Sequence, residues 1–389
     1  MRSLLLSLVL LAGCVHGGGD AETPASRDAV TLGDVADDDT GTPVNDSGGA
    51  TDSSSTADTG AVDATSLPPM PTQSFLIGYN EAWFGGNFAT GLTSKFDLAY
   101  VQKVFDGIVA GGGHVVRLWL FEAPQGFTGS GTTSTALSKE FLDNFDKILW
   151  EARRRALWVY PTLLDANTIA KITGDIHTWG VAVLNNTSGA QDDFNAKVVA
   201  PLCTVLDAHK DNIFGVDVIN EIQAAYKNSV FPDKTAGPRA FIGKEAAFLK
   251  SKLPWVKVTA SAGWPDDVFK TGAQYDIGNG FYSGLGLDFY DVHVYSDSGS
   301  FTGATAMCSR AATDGVPVYL GEFGQKTHSV DDKLQYDSTA SFLNNAKALC
   351  IKGAFAWRFD PAESWWNFVR SDFSERPAVT IMKVFGGAP

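Results

Sequence analysis

Eight short apolar runs, spaced along most of the chain, constrain its fold more than any other feature of the sequence. Each run is rich in Val, Ile, Leu and aromatic residues and lacks the regular polar alternation of a half-exposed strand. Such runs are typical of parallel strands that are covered on both faces. The runs occupy residues 75–80, 114–121, 156–164, 213–221, 256–261, 289–295, 316–322 and 353–359.

Segments with helical spacing lie between these runs. Residues 141–150 place apolar side chains at i, i+1, i+4, i+7 and i+8, and three Arg follow at 153–155, where cations favour a helix C-terminus. Eight strands alternating with helices over about 315 residues predict a single α/β domain, a (β/α)8 TIM barrel. An open doubly wound sheet is the alternative, but no glycine-rich phosphate-binding turn follows the first strand.

The first 14 residues have the composition of an export signal. Arg2 gives a positive start, residues 4–11 are apolar, and a Cys follows small residues. The sequence Leu-Ala-Gly-Cys at 11–14 resembles the bacterial lipobox, in which Cys14 becomes the lipidated first residue. The resemblance implies export to the bacterial cell envelope, at the outer membrane or cell surface, on a lipid anchor. An ordinary secretory peptide cleaved near Cys14 is the alternative.

The composition of residues 15–72 predicts a disordered linker. They contain no aromatic residue and no Lys, so they cannot bury enough apolar surface to offset the entropy of ordering. Ten Asp, one Glu and one Arg in this segment account for most of the formal charge of −14 of the whole chain. The remaining domain, residues 73–389, is therefore near neutral, which argues against nucleic acid as a partner. We expect a monomer whose contact with a membrane is made only through the lipid anchor.

Three further cysteines follow the signal segment. Export permits disulfides, and Cys308 and Cys350 fall in neighbouring predicted helices, so they could pair; the sequence leaves this open. Cys203 is expected to be a small buried apolar residue. The chain has no cluster with the spacing of a zinc site, so neither a metal nor a cofactor is expected.

Two glutamates end predicted strands of the barrel. Glu221 closes the fourth run, and Glu322 closes the seventh. The carboxyl ends of the strands carry the active site in barrels of this type, because the loops that follow the strands converge there. Two carboxylates at that end suggest a glycosidase, in which one acts as acid and the other as nucleophile.

The strand ends taken together resemble the glycoside hydrolases of clan A, and most closely family 5, the cellulase and mannanase family. The resemblance covers essentially all of residues 74–389. Two positions depart from it: many members have Pro where this chain has Ile222, and many have His at the end of the third strand, where residues 163–167 read Leu-Leu-Asp-Ala-Asn. The matching residues are Asn220 and Glu221 on the fourth strand, Glu322 on the seventh, Arg117 on the second, His293 and Tyr295 on the sixth, and Trp357 on the eighth.

The resemblance also implies roles for these residues in a retaining double displacement. Glu322 would attack the anomeric carbon, while Glu221 would protonate the departing oxygen and later deprotonate a water. Arg117 would keep Glu322 ionised. The other expected contacts are Tyr295 to the nucleophile, Asn220 to the sugar 2-hydroxyl, and His293 to a carboxylate or a substrate hydroxyl.

Aromatic side chains near the strand ends are the expected sugar platforms, since the apolar faces of sugar rings stack on indoles. Trp357 is the first candidate, from the resemblance. Residues 165–191 are expected to form a long loop that shapes the cleft. Three further candidate platforms, each of which could equally pack in the core, are Trp83, Trp119 and Trp264. Other carboxylates after strands, ranked as substrate contacts or surface groups, are Glu81, Glu122, Asp165, Asp360 and Glu363.

These observations predict an endo-acting β-glycoside hydrolase at the cell surface that cleaves β-1,4-linked mannan or glucan. An exo-acting β-glycosidase of the same clan is the first alternative, and it would differ in loops that block one end of the cleft. A non-catalytic carbohydrate-binding lipoprotein is the second. The presence of both glutamates together with the matching Arg, His, Tyr and Trp argues against the second alternative.

Overall fold

The computed structural model describes residues 67–85, 90–122, 126–128, 136–171, 174–265, 280–296, 298–325, 332–361 and 366–387. The strands in these ranges are β1 (Leu76–Asn80), β2 (Val115–Trp119), β3 (Trp158–Asp165), β4 (Val216–Asn220), β5 (Val258–Thr259), β6 (Ser261–Ala262), β7 (Tyr290–Val294), β8 (Val318–Phe323) and β9 (Ile351–Ala356). They form one sheet in the order β5-β4-β3-β2-β1-β9-β8-β7-β6, and every neighbouring pair is parallel.

The fifth apolar run brings the two edges of this sheet together. β5 pairs with β4, whereas β6, which is separated from β5 by one residue, pairs with β7. The run is interrupted at Ala260, after which the Ser261 N–H donates to the Asp217 side chain instead of a strand carbonyl. The eight predicted runs therefore form a nearly closed barrel. The predicted TIM barrel is confirmed, with one predicted strand in two pieces.

Helices follow most strands. Asp97 and Ser138 cap the first two, accepting hydrogen bonds from backbone N–H groups of the first turn. The expected helix at 141–150 lies within α2, and none of the helices in the described ranges is long and apolar enough to cross a bilayer. The α-helices are α1 (Leu98–Ala110), α2 (Lys139–Arg154), α3 (Ala166–Lys171), α4 (Asp175–Leu184), α5 (Ala190–Phe194), α6 (Ala200–Ala208), α7 (Gln223–Lys227), α8 (Ala236–Lys252), α9 (Ala304–Asp314), α10 (Asp332–Ala348) and α11 (Ala378–Gly386).

The prediction of a long loop at residues 165–191 is wrong, because α3 and α4 occupy most of this segment. Trp179 and Val183 recur at helical spacing and are buried, and this periodicity outweighs the Gly, Ser and Asn content of the segment. The Trp179 ring packs on Phe127 and Phe194, with centroids 5.6 and 6.0 Å away. The helix α3 starts directly after β3 and so places its first turn at the carboxyl end of the barrel.

A group of aromatic and aliphatic side chains fills the barrel interior towards the amino ends of the strands. Its rings are in mutual contact; Phe214, for example, lies 5.4 Å from Tyr160 and 5.5 Å from Phe289 between ring centroids. Because these side chains are almost fully buried, they exclude water from this end of the barrel. We call this group the floor cluster, and it consists of Leu76, Val115, Tyr160, Phe214, Phe289 and Phe355.

Cys308 and Cys350 form a disulfide, with Cα atoms 5.6 Å apart. Cys308 lies in α9 as expected, but Cys350 lies between α10 and β9, where the chain has already left the helix. Cys203 is free and buried, as expected from the sequence.

The described structure begins six residues before the predicted domain boundary at residue 73. The carbonyl of Pro68 accepts a hydrogen bond from Arg153, and that of Pro71 accepts one from the Trp158 indole. The end of the predicted linker therefore lies against the barrel. The predicted signal segment, the lipidation site Cys14 and linker residues 15–66 lie outside the described residues.

Candidate active site

Two carboxyl groups and an imidazole meet at the carboxyl end of the barrel. Glu221 directly follows β4, Glu322 lies within β8, and His293 lies within β7. One carboxyl oxygen from each glutamate and one ring nitrogen of His293 lie within 4.8 Å of one another. Only 12% of the Glu221 side chain and 5% of the Glu322 side chain are exposed, so both carboxyl groups are largely withdrawn from water.

The Glu322 carboxylate accepts two short hydrogen bonds. Arg117 Nη1 donates to Oε1 at 2.6 Å, and the Tyr295 hydroxyl donates to Oε2 at 2.6 Å. Burial raises the pKa of the Glu322 carboxyl, and the positive charges of His293 and Arg117 oppose that rise. Both short bonds favour the ionised form, which is the form that a nucleophile needs.

Arg117 is fully buried and anchors the site from below. Its Nη2 donates to Asp217 and to Asn220, each at 2.8 Å, and its Nη1 also donates to Asn80 at 3.0 Å. Burial opposes the charge, but Glu322 and Asp217 raise the pKa of the guanidinium well above its usual value. One permanent cation therefore compensates two buried carboxylates.

The Glu221 carboxyl has different partners. His293 Nδ1 lies 2.9 Å from its Oε1, and Asn167 Nδ2 donates to its Oε2 at 2.6 Å. The backbone of Glu221 has φ of 47°, in the left-handed region that residues with a Cβ rarely adopt. Its N–H donates to Ser261 Oγ at 3.2 Å, which helps to hold this turn.

The contact between Glu221 and His293 changes the pKa of both groups. Burial opposes ionisation of Glu221, but the hydrogen bond and charge of His293 outweigh burial and lower the pKa of Glu221. Burial also opposes the charge on His293, but the carboxylates of Glu322, Glu221 and Asp291 raise its pKa. Each group therefore favours the charged form of the other across the 2.9 Å contact.

Asn220, expected to contact the sugar 2-hydroxyl, is engaged within the protein. Its Oδ1 accepts from Arg117, and its Nδ2 donates to Asp165 Oδ1 at 2.9 Å. These bonds fix its amide just before Glu221. Ile222, where many family 5 enzymes have Pro, is fully buried.

Three of the four predicted Trp platforms form one group. Ring centroids of Trp119 and Trp357 are 5.3 Å apart, and Trp83 lies 5.7 and 6.1 Å from these two. Trp357 is the most exposed of the three. Its backbone N–H donates to the carbonyl of Phe323, next to Glu322. The Trp357 ring is thus the best placed for a sugar. Trp264 lies two residues after β6, half-buried and outside this group.

The other carboxylates that follow strands are not surface groups. Glu81, Glu122, Asp165 and Asp360 are at most 4% exposed. Glu122 accepts hydrogen bonds from the Trp83 indole and from Thr168, Asp165 also accepts from Thr168, and Asp360 pairs with Arg358. These bonds connect Glu122 to the Trp83 ring, and both Glu122 and Asp165 to α3. Glu363 lies outside the described residues.

Sequence reasoning missed the polar residues beneath and beside the two glutamates. Asp217 and Asp291 sit in apolar runs, four residues before Glu221 and two before His293, so strand alternation could have placed them on the same inner face. Asn167 was harder to find, because the segment that contains it was expected to be a loop. It contacts Glu221 only because α3 begins immediately after β3.

Glu221, His293 and Glu322 are the described residues whose donor atoms could jointly hold a metal ion. Each of these atoms already has a protein partner: Glu221 and His293 bond each other, and Glu322 receives Arg117 and Tyr295. In this structure the three side chains are therefore linked by hydrogen bonds within the protein.

No protein-family model matches the sequence, and a comparison with curated proteins found no match. Several solved structures share its fold. A β-mannanase from the blue mussel Mytilus edulis is 17% identical with a TM-score of 0.60, covering 81% of this chain and 91% of that one. GH5_18 from Streptomyces cattleya in complex with Manβ1-4GlcNAc is 16% identical with a TM-score of 0.63, covering 81% and 80%. An exo-β-1,4-mannosidase from Opitutaceae bacterium strain TAV5 is 15% identical with a TM-score of 0.61, covering 84% and 62%. At these identities the similarity shows the barrel fold.

Proposed function

We propose that this chain is a retaining β-glycoside hydrolase of the family 5 type that cleaves β-1,4-linked, mannose-containing polysaccharide. The observation that carries the proposal is the pair of carboxyl groups, with oxygens within 4.8 Å, at the carboxyl end of a parallel barrel. Carboxyl groups about 5–5.5 Å apart are typical of retaining enzymes, whereas inverting enzymes need a wider gap to admit water. The structures of similar fold include mannanases, which favours mannan over glucan.

In the first step, the Glu322 carboxylate attacks the anomeric carbon, and the bond to the glycosidic oxygen breaks. Glu221 gives its proton to that oxygen, and the products are a glycosyl ester on Glu322 and a free hydroxyl on the leaving sugar. Glu221 first receives this proton from His293, which lies 2.9 Å away. Arg117 and Tyr295 hold the attacking carboxylate in place.

In the second step, water replaces the leaving sugar. Glu221, now ionised, takes a proton from the water, whose oxygen attacks the anomeric carbon and displaces Glu322. The sugar is released with its original anomeric configuration, Glu322 is again a carboxylate, and Glu221 passes the proton taken from water back to His293. Two inversions at one carbon give net retention.

Endo action on a polymer remains our first choice, and exo action is the alternative. The similar folds include both endo-1,4-β-mannanases and an exo-β-1,4-mannosidase. Action outside the cytoplasm, on a lipid anchor at Cys14, is part of the same proposal. The disulfide between Cys308 and Cys350 supports it, because such bonds persist mainly in oxidising compartments.

Reducing-sugar release from β-mannans, β-glucans and xylan tests the proposal, using the purified full-length chain. We expect release from a mannan, and ¹H NMR should show the β-anomer as the first product. Glu322→Ala and Glu221→Ala should each lose about 10³-fold or more in rate. With an activated aryl β-glycoside, azide should restore product from both variants, as the α-azide for Glu322→Ala and the β-azide for Glu221→Ala. Binding to a polymer without any release would instead support the non-catalytic alternative.

A further inference from the structure

Asn167 gives Glu221 a contact from outside the barrel strands. It is the second residue of α3, and its Nδ2 donates to Glu221 Oε2 at 2.6 Å. His293 engages the other carboxyl oxygen, so both oxygens of Glu221 are held at once. A carboxyl group with both oxygens bonded cannot rotate freely about its last torsion.

Lys171 fixes the orientation of the Asn167 amide. It lies four residues further along α3, and its Nζ donates to Asn167 Oδ1 at 3.0 Å. An ammonium group has donors but no acceptor, so only the amide oxygen can face it. The amide nitrogen must then face Glu221. A flipped amide would oppose its nitrogen to Lys171 and its oxygen to the Glu221 carboxylate.

We propose that Asn167 and Lys171 are positioning residues that hold the acid/base carboxyl of Glu221 in its working orientation. The inference rests on the proposed function, since it presumes that Glu221 is the acid/base. In this relay, Lys171 orients the amide, the amide orients the carboxyl, and the short helix α3 keeps the two residues one turn apart.

The relay acts in both steps of the reaction. In the first step, it aims the Glu221 proton at the glycosidic oxygen. In the second, the amide N–H and the nearby ammonium stabilise the ionised carboxylate that receives the proton of water. The amide itself neither gains nor loses a proton, so substitution of Asn167 should change the orientation and acidity of Glu221 but leave the chemistry otherwise intact.

Several charged or titratable groups face Glu221 and must be included in any account of pH dependence. The carboxylates oppose ionisation of Glu221, whereas the two cations favour it. These groups are Asp165 on β3, Lys171 on α3, His293 on β7, Tyr295 after β7 and Glu322 on β8. Removing the amide donor or the ammonium therefore shifts the pKa of Glu221 upward.

The pH profile of kcat/KM for a mannan tests the relay. Its alkaline limb reports loss of the proton that His293 passes to Glu221, and Asn167→Ala and Lys171→Met should move that limb to higher pH, because each removes a group that favours the ionised carboxylate. We expect kcat/KM at the optimum to fall about 10- to 100-fold for Asn167→Ala, and less for Lys171→Met. Lys171→Arg, which keeps a charged donor, should restore the wild-type limb. Lys139→Met, which removes an exposed i,i+4 partner on α2, is the matched control and should leave the profile unchanged.

Leaving-group dependence separates positioning from general damage. With a dinitrophenyl β-mannoside the leaving group is dinitrophenolate, which departs without needing a proton. The kcat/KM of Asn167→Ala for this substrate should therefore be within about threefold of wild type. In the Glu221→Ala background, the Asn167 substitution should add less than about twofold, because the group that it positions is gone.

Each outcome decides the question. A normal limb and an equal loss on both substrates, together with a lower melting temperature, would show that Asn167 only supports the fold and would overturn the relay. Full additivity of Asn167→Ala and Glu221→Ala would overturn it as well. Failure of the proposed function is seen separately, since the wild-type chain would then release nothing from any substrate.

Discussion

The two ends of the barrel interior are built from opposite kinds of side chain. The floor cluster, towards the amino ends of the strands, contains aromatic and aliphatic groups only. Further along these strands and on β8, the interior is charged and almost fully buried, with Arg117, Asp217, Asp291, His293 and Glu322. The floor gains stability from each ring independently through burial. The charged end is stable only as a complete set, because any one removed partner leaves another buried charge uncompensated.

The largest predicted effect comes from breaking the charged end at its centre. Arg117→Met keeps the length of the side chain but removes the cation that Asp217 and Glu322 share. We expect the free energy of unfolding to fall by about 3–5 kcal/mol at pH 7. We also expect kcat/KM to fall at least about 10³-fold, because the nucleophile loses its charged donor. Urea unfolding and steady-state kinetics measure the two losses.

Lys139→Met serves as the matched control for that experiment. It also removes a cation from an ion pair, but the Lys139 side chain is 86% exposed, so we expect almost no loss of stability. If Arg117→Met lost no more than this control, the charged end would not behave as an interdependent set.

A ring removed from the floor should cost stability without affecting catalysis. Phe289 is 1% exposed, and its ring packs on Tyr160, Phe214 and Tyr319. Phe289→Ala should lower the free energy of unfolding by about 3–4 kcal/mol through lost burial and the cavity left behind. Well below the melting temperature, kcat per folded molecule should match wild type. A large fall in kcat would mean that the floor also sets the geometry of the catalytic end. Phe289→Leu should give a smaller loss in unfolding free energy.

A buried carboxyl without a buried cation provides the intermediate case. Glu245 on α8 is fully buried and accepts from Gln191 at 2.7 Å, and burial raises its pKa to about 7. The folded pKa thus exceeds the unfolded value of about 4.5. This group costs nothing below pH 4.5; its penalty grows between pH 4.5 and 7 and is constant above.

Glu245→Gln should remove that penalty. We expect the variant to be about 1–3 kcal/mol more stable than wild type at pH 8 and nearly equal at pH 4.5. Melting temperatures across this range measure the difference. Parallel curves for the two proteins would show that the Glu245 carboxyl does not titrate in this window. Glu140→Gln, in the exposed first turn of α2, is the control and should give a curve parallel to wild type.

The contrast between the two ends also explains what the sequence could predict. Apolar residues dominate the floor and the outer core, so eight apolar runs were enough to predict the barrel. Glu221 and Glu322 could be found because each closes an apolar run, whereas Arg117, in the middle of β2, was found through the resemblance to family 5. The structure places all three in one connected set of hydrogen bonds.

Residues whose position depends on local chain direction could not be predicted in this way. Asn167 reaches Glu221 only because the chain turns into a helix within one residue of β3. At the split of the fifth run, the Ser261 N–H donates to the Asp217 carboxylate, a contact that no periodicity reveals. The buried position of Glu122 depends on Trp83 and Thr168, which lie 39 and 46 residues away in the sequence.

The smallest predicted effect tests the link between the two ends. The Tyr160 ring belongs to the floor cluster, but its hydroxyl donates to Asp291 at 2.5 Å, in the charged layer. Tyr160→Phe keeps the ring and removes that donor. We expect a loss of about 1–2 kcal/mol in unfolding free energy, because Asp291 stays buried with one partner fewer.

Tyr319→Phe is the comparison variant for this test. Its ring also packs on the floor cluster, but the residue lines a cavity at the amino end of the barrel. Removal of its hydroxyl should therefore change the free energy of unfolding little. The loss in Tyr160→Phe should also be smaller than the loss in Phe289→Ala, because only one hydrogen bond disappears and no cavity forms. If Tyr160→Phe were as stable as Tyr319→Phe, Asp291 would not depend on the hydroxyl, and the two ends of the barrel would be energetically independent. A measurable loss confined to Tyr160→Phe would show that the floor holds the charged layer through this one side chain.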